Sequence, residues 1–232
     1  YDYILETLQP GFSWANYGVR KCITTTDSQK EYINNLFPSI QTDVIKPSIP
    51  EYFKPSKKPK TPLVAIHTRD PRDTMKIIKE FYLRNPQFKW LTFRDMRNVG
   101  RVEFAKILGE SCVGIWVDRV SGFGTFPLEA MACNTPVIGN LPILKPDWLS
   151  QENGLWVFDE SKIGEVLGNY VKNWLEDNLP PKLYDEMAKT VAPYSEENER
   201  NELVSYFDNL FKEKTEEFNN SINKLSPVGT NA

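Results

Sequence analysis

The sequence predicts an α/β fold: a parallel sheet with helices on both faces, followed by a helical C-terminal third. Three observations predict it. The apolar runs at 63–66, 113–117 and 136–139 lack polar alternation, which is how a strand buried on both faces reads. Helical periodicity separates the runs, as parallel pairing requires. Between 117 and 136 stands a glycine-bearing loop ahead of a helix start, the way α/β sheets build ligand sites at their carboxyl edge.

Taken in order, residues 21–26 (KCITTT) are β-prone, and Asp27 or Ser28 caps a helix running to about Phe37. Residues 42–45 form a short extended segment ended by Pro47 and Pro50. Residues 54–62 (KPSKKPKTP) are dense in Lys and Pro, lack apolar periodicity and read as a solvated connector. Beyond it, 63–66 is a buried strand and 73–84 a helix with Met75, Ile77, Ile78 and Phe81 on its inner side. A strand at 88–93, a helix at 101–110, the strand at 113–117, a short helix at 127–133 and strands at 136–139 and 155–158 continue the series. The chain then turns helical over about 163–176, 181–191 and 195–223, with Glu196 and Glu197 in the last helix's first turn, where the dipole favours acids. Its stripe of Leu203, Tyr206, Phe207, Leu210 and Phe211 reads as a packing face. Residues 224–232 read as a disordered tail, and the start at Tyr1 without Met reads as a fragment.

Composition narrows the chemistry. With 40% hydrophobic and 25% charged residues, a soluble globular core is available. The net charge of −3 is spread along the chain, so no nucleic-acid partner is expected. No apolar run reaches the length of a membrane span, and no signal-peptide pattern opens the chain. Cys22, Cys112 and Cys133 are far apart in apolar contexts and read as reduced thiols of a cytoplasmic protein. With His67 the one histidine and no close Cys pair, no metal site is expected, and the usual histidine triads are out of reach unless His67 served alone. Any chemistry must rest on carboxylates, arginines, backbone amides and the substrate itself.

The most informative stretch is Val117-Asp-Arg-Val-Ser-Gly-Phe-Gly-Thr-Phe-Pro-Leu-Glu-Ala-Met-Ala-Cys-Asn-Thr-Pro-Val-Ile138. Gly122 and Gly124 let the backbone come close to a ligand, and the free amides of the following helix start point at negative charge. Gly122-x-Gly124 fits the first half of the dinucleotide fingerprint, but Pro127 stands at the third glycine position and argues against a nicotinamide cofactor. Arg69 and Arg72 follow the first strand of the domain beside Asp70 and Asp73, as solvated ion pairs or as a phosphate grip. His67 ends that strand and reads as a partly buried, structurally bonded imidazole.

From Gly122 to Ile138 the sequence resembles the donor-binding domain of the GT-B glycosyltransferases of retaining, family 4-like type, whose pattern runs E-G-F-G-x-x-x-x-E-A-M-A-C-G-T-P-V-I. The likeness extends to Thr42-Asp-Val-Ile-Lys-Pro-Ser-Ile-Pro-Glu-Tyr-Phe-Lys-Pro55 and Glu152-Asn-Gly-Leu-Trp-Val157, over about residues 20–215. The resemblance implies a Rossmann-like sheet over 63–223, a remnant of the acceptor domain and linker over 1–53, and a connector at 54–62. It also implies a metal-independent transfer from a nucleotide-diphosphate sugar, which is substrate and not cofactor. Glu129 matches the family carboxylate that binds the ribose hydroxyls. Gly122, Phe123, Gly124 and Thr125 would supply amides to the diphosphate and sugar. Arg72 falls at the position of the family's diphosphate lysine, and Arg69 matches its arginine across a small gap. Arg94, Arg97, Asn98 and Val99 follow the 88–93 segment, where the family reads the base, and Arg97 is the donor-site candidate among them.

Ser121 stands where the family has its first glutamate, so either the donor sugar is held differently or the chain is a nucleotide-sugar-binding module without activity. The acceptor half would have to come from elsewhere, so this fragment is expected to be inactive alone. That absent half leaves room for a peripheral membrane contact.

Overall fold

The computed structural model describes residues 9–225. Its centre is a parallel five-stranded sheet in the order β4-β3-β5-β6-β7. The strands are β3 (Thr61–Thr68), β4 (Thr92–Asp95), β5 (Ser111–Val117), β6 (Val137–Asn140) and β7 (Leu155–Val157). Alternate side chains of the central strands enter two cores. Val64, Ile66, Val113, Ile115 and Val117 face one side, where Ile77 and Phe81 of α2 (Pro71–Arg84) and Ile163, Leu167 and Tyr170 of α5 (Ile163–Leu175) cover them. Ala65 and Trp116 face the other, beneath α3 (Arg101–Glu110), α4 (Thr125–Ala132) and α6 (Pro181–Val191). The expected α/β architecture with both sheet faces covered is therefore the observed one.

Local chemistry fixes the boundaries. α2 starts at Pro71 because the Asp70 carboxylate caps it by accepting from the Arg72 N–H at 2.8 Å. That start turns Thr74, Ile77 and Phe81 inward and leaves Met75, expected on the inner side, exposed. The strand expected at 88–93 is displaced: Pro86–Phe88 is a 3-10 turn, and β4 begins at Thr92. β3 begins at Thr61, two residues inside the segment read as connector, because Lys60 is anchored. Its Nζ donates to the carbonyls of Leu108 and Cys133 and to the Thr135 hydroxyl, at 3.4, 3.0 and 2.5 Å.

Ahead of this sheet stands a small parallel pair, β1 (Lys21–Thr24) and β2 (Gln41–Val44), joined by α1 (Asp27–Leu36), with a core of Ile33, Phe37 and Ile40. Thr26, and not Asp27 or Ser28, caps α1, because its side chain accepts from the Gln29 N–H. The Asp147 carboxylate, far along the sequence, accepts from the amide N–H groups of Asp27 and Ser28. The last helix, α7 (Glu196–Leu225), runs two residues past its expected end, and the rest of the expected tail lies outside the described residues. At about 1.5 Å per residue this helix is about 45 Å long and outruns the body it packs on. Leu203, Tyr206 and Leu210 are half-buried, but Phe207 and Phe211 of the expected packing stripe are exposed. Among the described residues, no helix is long and apolar enough to cross a membrane.

Candidate nucleotide-sugar site

Because all five strands run parallel, the loops after β3, β4 and β5 meet at one edge of the sheet. That edge carries nearly all the residues singled out from the sequence. The loop after β5 is held in shape by its own side chains. The Asp118 carboxylate accepts from the N–H groups of Val120 and Ser121, both at 3.1 Å, and the Ser121 hydroxyl accepts from the Gly124 N–H at 3.0 Å. The Trp148 indole donates to the Phe123 carbonyl at 2.6 Å, and the Phe123 ring turns inward, 5.8 Å from that of Tyr194. Of the two glycines only Gly124 is left-handed, at φ 72°, and it caps α4 without a side-chain hydrogen bond. The amides of Thr125 and Phe126 therefore open the helix with no capping oxygen, and Thr125 is exposed at the mouth.

One turn on, Glu129 is 2% exposed. Burial pushes its carboxyl pKa up, and the nearby charge of Arg101 works against that rise. The Arg101 Nη2 donates to Glu129 Oε1 at 2.8 Å. Arg101 carried no signal in the sequence: it is the first residue of α3, an ordinary place for a solvated arginine, and only tertiary packing brings it over Glu129.

Four other arginines of this edge are matched with carboxylates. Arg69 makes a bidentate pair with Asp118, at 3.1 and 3.0 Å. Arg97 pairs with Asp95, and Arg119 bridges Asp73 and Glu160. Arg72 lies on Asp70 with its side chain 89% exposed, and it holds the Asp70 carboxyl down at about 2. Arg72 and Arg97 each fold back on the carboxylate two residues before them, whereas Arg69 reaches across to the loop after β5. His67 feels the charges of the Arg69–Asp118 and Arg97–Asp95 pairs and stacks on Phe126 at 5.3 Å. Burial lowers its pKa, and its buried Nδ1 has no hydrogen-bond partner among the described residues, so the expected structural bond is missing on that nitrogen. After β4 a cavity of about 570 Å³ opens, lined by Arg94, Asp95, Arg97, Asn98, Val99, Gly100 and Glu103, a volume suited to a small ligand.

The pneumococcal O-GlcNAc transferase GtfA, solved in complex with UDP and GlcNAc, superposes with a TM-score of 0.63 at 13% identity, over 85% of this chain and 46% of that one. The fold is that of the GT-B glycosyltransferases. A second structure, Anabaena HepE in complex with UDP-glucose, superposes with a TM-score of 0.59 at 10% identity, over 81% of this chain and 63% of that one. In sequence the chain is 24% identical over 182 residues to an alpha-1,6-glucosyltransferase of Actinobacillus pleuropneumoniae serotype 7 (strain AP76), over 73% of this chain. It spans about half of that relative's length, 53%. No protein-family model matches the chain.

Proposed function

We propose that this chain is the donor-binding half of a retaining glycosyltransferase that takes a nucleotide-diphosphate sugar. The observation that carries the reading is the pairing of the uncapped helix-start amides of Thr125 and Phe126 with a buried carboxylate, Glu129, one turn along the same helix. The first suits a diphosphate and the second a ribose diol, since an ionised carboxylate accepts two hydrogen bonds. The names of the glucosyltransferase relative and the UDP-bound neighbours support the same ligand class.

Transfer requires the nucleotide diphosphate to be stabilised as it departs. The helix-start amides and Arg69 would supply that stabilisation without a metal. The leaving phosphate then takes the acceptor proton, so this half needs no histidine base. Arg69 is held by Asp118 in the free chain, and a bound diphosphate would share or displace that partner. The acceptor half, and with it turnover, would come from outside this chain.

A second reading has its own observation. Ser121, in place of the family glutamate, spends its hydroxyl on Gly124, and Asp118 fills the loop amides that precede it. A loop so closed on itself suits a module that binds nucleotide sugar without transferring it. Calorimetric titration with UDP, ADP and GDP, with Glu129→Ala as control, tests the shared premise: binding lost in the variant supports it, and no binding in any case refutes both readings. Release of sugar from the corresponding nucleotide sugar then separates enzyme from module.

A further inference from the structure

We propose that Arg101 is a positioning residue that aims Glu129 at the nucleotide and makes the ribose site depend on the segment Tyr52–Phe53. This rests on the donor-site reading above.

Glu129 is almost wholly buried, so an isolated carboxylate there would favour its neutral form. The neighbouring cation is Arg101, which engages Oε1; among the described residues no other side chain donates to this carboxylate. Oε2 is thereby left for a ligand hydroxyl. Yet Arg101 is itself 56% exposed and sits at the start of α3, where a long side chain has many rotamers. What holds it lies outside the sheet domain's own helices. The Arg101 guanidinium stands 5.1 Å over the Phe53 ring, with Tyr52 beside it. Phe53 is in turn anchored: it is 4% exposed and meets Phe104, one turn along α3 from Arg101, edge-on at 6.2 Å.

Residues 52 and 53 end the segment that leads from β2 into the Lys/Pro stretch. A shift of that segment moves the Phe53 face, frees the guanidinium and removes the charge that keeps Glu129 ionised and aimed. The arrangement therefore ties nucleotide affinity to the position of the chain entering the domain.

The test is a double-mutant cycle in the 232-residue chain. Calorimetry measures UDP, ADP and GDP, and then the 2′,3′-dideoxy form of whichever binds. Arg101→Gln is expected to weaken the ribose nucleotide about tenfold or more and to leave the dideoxy form unchanged. Arg101→Lys, which keeps the charge, should recover part of the loss. Phe53→Leu should weaken ribose-nucleotide binding in the parent background and add nothing on top of Arg101→Gln. Equal losses for both nucleotide forms, no loss, or additive effects would each overturn the inference while leaving the donor-site reading intact. Absence of binding in the unaltered chain would remove the donor-site reading and this inference together.

Discussion

At the scale of single residues, Gly124 is the most constrained position of the site. Its φ of 72° is one that side-chain-bearing residues rarely adopt, and an added Cβ would stand 3.0 Å from the Trp116 ring and 3.2 Å from that of Trp148. Gly124→Ala is expected to destabilise the chain by about 1–3 kcal/mol, from left-handed strain and the crowding of two indoles. Urea denaturation checks this; an unchanged midpoint would mean that the loop relaxes without resistance. Trp148→Phe removes the 2.6 Å bond to the Phe123 carbonyl and part of a buried ring packed on Trp116 and Trp156, and should cost about 2–4 kcal/mol while loosening the loop. Glycine spacing and the Pro127 helix start made the strand-loop-helix turn legible in the sequence. The indole that clamps the loop was not, because Trp148 is 24 residues from Gly124 and no local pattern marks a residue that acts across the fold.

At the scale of elements, the anchor that sets the sheet's first strand is Lys60. Its ammonium reaches the carbonyls of Leu108, near the end of α3, and of Cys133, just past α4, where helix dipoles favour a cation. Lys60→Met should lower stability by about 1–3 kcal/mol in urea denaturation, since buried acceptors lose their donor. Burial pushes the Lys60 pKa down from 10.5 to about 8. In that interval the unfolded chain binds the proton that the folded chain has lost, so the Lys60 contribution to stability rises with pH from about 8 to 10.5 and is level below 8. Denaturation midpoints of the parent and of Lys60→Met across this range check the sign, and parallel curves would contradict it. The same lysine shows why element boundaries were less legible than element types. Lys and Pro in 54–62 correctly signal a break in regular structure, but composition cannot say which lysine turns inward. Likewise, aromatic residues at Phe88 and Trp90 look β-prone, and the turn beginning at Pro86 overrides them. Met75 fits an inward stripe by spacing until the Asp70 cap fixes the helix phase.

At the scale of the whole molecule, the parallel sheet was readable because apolar runs, helical intervals and the glycine loop agree on one architecture. The candidate site was legible only where a local pattern marks it, in the glycine loop, the helix start at Thr125 and the carboxylate of Glu129. The self-paired arginines, the Arg101–Glu129 contact and the long exposed face of α7 belong to tertiary geometry. The central proposal is nucleotide recognition through Glu129. The most direct measurement is calorimetric titration of the chain with UDP, ADP and GDP, beside Glu129→Gln. Saturable binding of at least one diphosphate is expected, weakened about tenfold or more in the variant, which keeps the shape and loses the ionised acceptor. Binding of equal strength in the two proteins, or none in the unaltered chain, would contradict it.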